Sequence, residues 1–112
     1  MRQVNLVLIG RDYIASDGSF TLSTGILNRD PIRLGSSAAM VNGAIDSFVK
    51  AAAMEMRNKV RINSVSPTVI TEALDSYGPY FRGYAHVDAD KAALAYSKSV
   101  EGMQTGQTYI VN

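Results

Sequence analysis

The chain has no cysteine, a single histidine and no marked excess of either charge. Without cysteine there is no disulfide, no thiolate nucleophile and no thiolate-bound zinc. The same absence fits a reducing compartment and leads to the expectation of a cytoplasmic protein. One histidine is too few for a metal centre or a Ser-His-Asp triad, so His86 is read as a loop residue. The 11 Lys/Arg and 10 Asp/Glu residues leave a net charge of +1. No basic stripe stands out, so neither nucleic acid nor an anionic membrane surface is an expected partner. No apolar run approaches the ~18 residues of a membrane span. The apolar start, Val4 to Ile14, is broken by Asn5, Gly10, Arg11 and Asp12, which does not suit a signal peptide.

What is present suits one globular domain over residues 1–112, with 46% hydrophobic and 19% charged residues. Val4, Val7, Leu8, Arg11 and Ile14 recur at helical spacing and predict a helix over 3–15. Asp17-Gly18 signals a turn, and Gly18–Thr24 reads as a short strand. Asp30-Pro31 and Gly35 mark the loop 25–35. Ser36 or Ser37 would then cap a long helix reaching about Arg57, apolar on more than one face and therefore packed on two sides. Met40, Met54 and Met56 are read as core or helix-interface filler. Arg61–Ser66 is the second strand. An irregular segment follows Pro67, with residues 77–81 as its least helical part. Asp88 caps a helix ended by Gly102, and Gln107–Val111 is the last strand. Lys91 and Lys98 share that helix with Asp88, Asp90 and Glu101, a solvated face. The order α-β-α-β-α-β, with long crossovers, predicts parallel strands between layers of helix.

Three segments carry a family resemblance. Gly18-Ser19-Phe20-Thr21 resembles the start of the fifth strand in the short-chain dehydrogenases/reductases. Ala51-Ala52-Ala53-Met54-Glu55-Met56, followed by Arg61-Ile62-Asn63-Ser64-Val65-Ser66-Pro67, resembles the "ALELA…RVNAVSPG" stretch around their sixth strand. Thr105-Gly106-Gln107-Thr108-Tyr109-Ile110-Val111 resembles their "TGQTLYVDG" ending. The order and spacing of the three identify the chain as similar to the second half of that fold. The implied architecture is a three-layer α/β fragment whose parallel strands are the last three of a Rossmann-like sheet. By the same resemblance, the Gly-rich dinucleotide loop of the family's first strand-turn-helix has no counterpart here. NAD or NADP is therefore expected in a full-length parent and not on these residues alone.

The family's proton-handling set is a Ser at the end of the fifth strand and a Tyr-x-x-x-Lys on the following helix, where Tyr acts as general acid/base and Lys lowers its pKa. Ungapped counting puts Gly25 at the Ser position, Ala38 at the Tyr position and Asn42 at the Lys position. No tyrosine lies between positions 14 and 76, so a small shift does not restore the motif. The chain resembles a subgroup that lacks these residues, and no catalytic residue is assigned.

Candidate cofactor-facing residues lie where strands end, because ligands of open α/β sheets bind at the carboxyl ends of strands. Ser23, Thr24 and Gly25 end the first strand; strand termination alone is the competing reading. Pro67, Thr68, Val69, Ile70 and Thr71 follow the second. There the family has Pro-Gly, and Thr68 reaches positive φ less easily than glycine. Tyr77, Tyr80, Phe81 and Tyr84 crowd a loop that is a substrate lid in the resembling family; packing beneath the loop or at a subunit contact is the equal alternative. The first strand is left with an unpaired edge, and the family's habit implies a homodimer or tetramer formed through helices 3–15 and 36–57. A non-catalytic binding or dimerisation module is the second functional reading.

Overall fold

A computed structural model describes residues 2–112. Three parallel strands form one sheet in the order β1-β2-β3: β1 is Ser19–Ser23, β2 is Arg61–Pro67 and β3 is Thr108–Val111. Phe20 pairs with Ile62 and Ser23 with Val65, while Ser64 pairs with Thr108 and Pro67 with Val111. Helices α1 (Arg2–Gly10) and α2 (Ser36–Ala52) cover one face, and α4 (Ala89–Glu101) covers the other. The short helix α3 (Leu74–Tyr77) lies in the crossover from β2 to α4.

The alternation of side chains along each strand builds two cores. Leu22 and Ile62 point to one side and meet Val7 of α1 and Ile45, Val49 and Ala52 of α2. Val65 and Val111 point to the other side and meet Ala95 of α4, with Val87, Tyr96 and Tyr109 around them. The sheet thus takes one face of α2 while α1 packs beside it.

β2 is the middle strand, yet Asn63, Ser64 and Ser66 are polar and fully buried. Buried polar groups are tolerated when hydrogen-bonded, and each of these is. The Asn63 amide donates to Ser99 Oγ at 3.2 Å and to the Gln104 carbonyl at 3.0 Å, and its oxygen accepts from the Gln107 N–H at 3.0 Å. Ser99 also shares a 2.7 Å hydrogen bond with Thr21. One amide therefore joins β1, β2, α4 and the entry to β3. Arg61, at the start of β2, donates to the carbonyls of Ser99, Val100 and Gly102. A cation at a helix C-terminus satisfies its orphan carbonyls and complements its dipole.

Several boundaries differ from those read from the sequence. The first helix stops at Gly10, not at residue 15. The Tyr13 and Ile14 N–H groups both bond to the Gly10 carbonyl, which closes the helix in a turn. Gly10 also lies against the Phe20 ring, where a Cβ would approach the ring to 3.3 Å. The long helix ends at Ala52 and tightens into a 3-10 turn over Ala53–Glu55. The chain then reverses through Asn58 (φ 58) and Lys59 (φ 61). Asparagine tolerates that left-handed conformation; lysine does so at a cost of about 1–2 kcal/mol. Neither Ser36 nor Ser37 caps α2: Gly35 holds the cap position, without a side-chain bond.

Met56 packs against the first core, but Met40 and Met54 point into solvent instead of filling it. Residues 77–81 are not the least helical part of the crossover, because Tyr77 ends α3 and Gly78–Tyr80 form a 3-10 turn. Pro79 sits at the start of that turn, where a helix has no use for its missing N–H. Asp88 precedes α4 but its side chain caps nothing. Glu72 takes that role, accepting from the Ala89 N–H at 3.2 Å.

Among the described residues the outer edge of β1 has no strand partner, but it is not bare at its end. The Gln3 carboxamide accepts from the Ser23 N–H at 2.7 Å and donates to the Ser23 carbonyl at 2.9 Å. A side-chain amide there imitates one rung of a neighbouring strand.

The Asn63 network generates a prediction. Asn63→Ala removes the partner of the Gln107 N–H and the Gln104 carbonyl, both part-buried, and leaves a cavity at a fully buried side chain, so urea denaturation should show a loss of roughly 2–4 kcal/mol. A loss below about 1 kcal/mol would mean that Asn63 merely fills space.

Candidate functional site at the carboxyl ends of the strands

β1 and β2 end side by side, and the loops that follow bring several sequence-predicted residues together. Gly25 has extended backbone and no side chain. A Cβ placed on it would meet Asn42 Nδ2 at 3.4 Å and the Pro67 carbonyl at 3.8 Å. Gly25, Asn42 and Pro67 are therefore neighbours, joined from β1, α2 and β2. Ala38 lies one turn earlier on α2 and is exposed.

Thr24 is held from two directions. Its N–H donates to the Val65 carbonyl at 2.9 Å and its hydroxyl to Asp46 Oδ1 at 2.9 Å. Asp46 also accepts from Ser64 Oγ at 2.9 Å and from Asn28 Nδ2 at 3.2 Å. Ser64 in turn shares a 2.9 Å hydrogen bond with Thr108 of β3. A carboxylate accepting several hydrogen bonds from fixed donors is an ordering element. It lies one helical turn from Asn42 and ties the end of β1, through Thr24, to the middle of β2 and, through Ser64, to the start of β3.

Arg29 follows the 3-10 turn Ile26–Asn28. Its Nη2 donates to the Ser66 carbonyl at 2.9 Å and to Ser66 Oγ at 2.7 Å, and Ser66 Oγ donates to the Gly25 carbonyl at 2.9 Å. The guanidinium is thereby fixed beside the Gly25–Asn42 contact.

The remaining predicted positions are distributed differently. Ser23 Oγ faces the α4 layer and shares a 2.6 Å hydrogen bond with the Tyr96 hydroxyl. Thr68 is buried, its hydroxyl donating to the Ala85 carbonyl at 2.8 Å and its N–H to the Val111 carbonyl. The residues with left-handed backbone are Asp17, Leu34, Asn58, Lys59, Gly83 and Gly106, so the turn after Pro67 makes no demand for glycine at position 68. Val69 is buried and Ile70 packs against the second core. Thr71 Oγ1 shares a 2.8 Å hydrogen bond with His86 Nδ1. The side chains from 68 to 71 are thus engaged with the crossover itself rather than turned toward Gly25.

Of the aromatic cluster, Phe81 and Tyr84 meet edge to face at 5.4 Å, while Tyr77 and Tyr80 are exposed. The Tyr84 hydroxyl lies 2.9 Å from the carbonyls of Asp30 and Pro31 and 3.0 Å from Asp30 Oδ1. This phenol latches the 71–87 crossover to the loop after β1.

Asp46, Asn28, Arg29, Ser64 and Ser66 were not singled out as site residues in the sequence; Tyr84 was, within the aromatic loop, but its partner Asp30 was not. Asp46 carried a usable signal, as the sole acid within the long apolar helix α2. Arg29 carried none, since it sits in a loop where only folding brings its partner Ser66 near.

No protein-family model matches the chain, and no curated protein does. Solved structures do. A protein from Listeria innocua is 53% identical with a TM-score of 0.96, over 98% of this chain and 55% of its own. A small-chain dehydrogenase is 25% identical with a TM-score of 0.78, over 98% of this chain and 51% of its own. The chain belongs to the short-chain dehydrogenases/reductases. It corresponds to the C-terminal half of that fold and spans about half the length of the solved relatives it matches. A further small-chain dehydrogenase, solved in complex with NADPH, shares the fold at 24% identity and a TM-score of 0.81, over 98% of this chain and 56% of its own. In the terms of this family, the positions equated with Ser and Lys do meet in space, but as Gly25 and Asn42.

The Tyr84 latch yields a pH prediction. Desolvation at the docking point, then the hydrogen bond from Tyr84 to Asp30 and the Asp30 charge, raise the phenol above its ordinary 10.0. A raised folded pKa means the latch contributes fully below the ordinary value and is lost as pH rises through the raised one. Protection of the amides in residues 71–87, taken relative to their intrinsic exchange at each pH, should therefore hold at neutral pH and fall only above the normal phenol range. Tyr84→Phe should show the lowered protection already at pH 7; identical protection in the two proteins would refute the latch.

Proposed function

We propose that the chain supplies the C-terminal half of a cytoplasmic NAD(P)-dependent oxidoreductase, and that these residues alone neither bind the dinucleotide tightly nor transfer hydride. The observation that carries this reading is the Gly25–Asn42 contact. At the place the family gives to a hydroxyl and an ammonium, this chain puts a residue without a side chain and a neutral amide. An amide neither exchanges a proton near neutral pH nor lowers a neighbouring phenol's pKa by charge. Ala38, equated with the Tyr position, adds nothing titratable. Ser23, Thr24, Gly25 and the segment from Pro67 to Thr71 border the cofactor in this reading, with Pro67 and Gly25 nearest to the site and Thr68 supporting it from beneath. The NADPH-bound relative supports the cofactor class. Titration of this chain with NADPH, followed by nicotinamide fluorescence, is expected to show no saturable change at micromolar concentrations. Tight binding by the chain alone would overturn the proposal.

A second reading, a dimerisation module, is favoured by the outer surface of α1 and α2. Leu6, Ile9 and Met40 are exposed there, and Tyr13 is exposed in the turn that follows α1; exposed apolar patches mark interaction sites. The reading extends the first one, because paired α1 and α2 helices make a homodimer or tetramer of the same scaffold. Light scattering should give at least a dimer mass for the wild type and a monomer mass for a Leu6→Asp/Ile9→Asp variant. A wild-type monomer at high concentration would eliminate the interface.

A further inference from the structure

A shallow groove runs between α2 and β3 and begins at Arg29 and Asp46, which also hold the strand ends just described. Arg29, Asp46 and Thr108 line its upper part; Lys50, Met54 and Ile110 line the rest. Three observations give it a chemical preference. First, Arg29 is positioned: Nη2 is pinned by the fully buried Ser66, whose hydroxyl and carbonyl are both neutral acceptors. Second, its charge is uncompensated. Among the described residues the ion pair is Arg11 with Glu55, remote from this groove, and no carboxylate lies within salt-bridge distance of Arg29. The acid closest to it in the groove, Asp46, already accepts from Thr24, Ser64 and Asn28. Asp30, next in sequence, accepts from Tyr84. Third, the groove continues past a second cation, Lys50, to two exposed apolar side chains, Met54 and Ile110.

We propose that this groove binds a small organic carboxylate with a short apolar tail, its head on Arg29. A guanidinium fixed by one nitrogen presents the others as a planar fork suited to a carboxylate. Lys50 adds a second, mobile positive charge, and the pair outweighs Asp46. Met54 and Ile110 offer the tail apolar surface that is otherwise left in water. The groove adjoins the Gly25–Asn42 region through Arg29, and the carboxylate assignment does not require that the chain meet a dinucleotide.

The test is an NMR titration of the whole chain with octanoate, methyl octanoate and inorganic phosphate. Octanoate should shift Arg29, Lys50, Met54 and Ile110 together, and Arg29→Gln should weaken it by roughly tenfold to a hundredfold, the range for a charged hydrogen bond. Lys50→Gln should weaken it less, and the neutral ester should not bind. The assignment fails if the ester binds as well as the acid, if Arg29→Gln leaves the affinity unchanged, or if phosphate binds and octanoate does not. It also fails if these residues shift on simple dilution, since a second copy of the chain would then be the occupant. Should Arg29→Gln not fold, the acid-versus-ester comparison on the wild type decides the matter.

Discussion

The fold depends on satisfying the polar side chains of a fully enclosed strand. β2 has a neighbour on each side and a helical layer on each face, so Asn63, Ser64 and Ser66 have no access to water. Each unmet donor or acceptor there would cost about 1–3 kcal/mol. None is unmet: among the described residues no buried side-chain nitrogen or oxygen lacks a partner. The partners come from α2 (Asp46), α4 (Ser99), β3 (Thr108) and the loops on either side. Apolar packing holds the layers together without direction. The hydrogen bonds from β2 fix how the layers are placed, because hydrogen bonds have geometry.

The same logic explains why the strand ends are ordered. Gly25 and Asn42 are neighbours there, and the donors and charge that hold the strand ends lie one helical turn or one loop away. Asp46 gathers Thr24, Ser64 and Asn28, and Arg29 fastens on Ser66. The polar chemistry of this half-site is thus structural at its centre and ionic at its rim.

Legibility in the sequence followed the range of the interactions involved. The three strands, their parallel order and the two long helices were readable because patterning and chain length determine them locally. The family signature added the architecture. Helix ends were read too long at Gly10 and Ala52 because hydrophobic spacing continues past both, while the reversals into β1 and β2 depend on tertiary contacts. The Asn58–Lys59 reversal is an instance: lysine gives no signal for a left-handed backbone. Caps failed for a related reason. The expected Asp88 cap is displaced by Glu72, distant in sequence but brought near by the crossover. Counting along the family motif led to Gly25 and Asn42, which the fold makes neighbours; Asp46, whose partner Ser64 is 18 positions away, was out of reach of such counting, and Tyr84 was visible only as part of an aromatic loop, without its partner Asp30 54 positions away.

The β1 edge ties these points together. An exposed strand edge is a template for further pairing, and proteins blunt it by covering or capping. Here Gln3 occupies only the last rung, at Ser23, the point where the candidate site begins. The cap therefore does two jobs in one contact: it satisfies the backbone at the strand end, and it ties α1 to the same residue that Tyr96 holds from the α4 layer. Ser23 is gripped through its backbone from one layer and through its side chain from the other. A strand end held from both faces cannot shift with either helix alone. The placement of Thr24 and Gly25 is consequently a property of the whole three-layer stack.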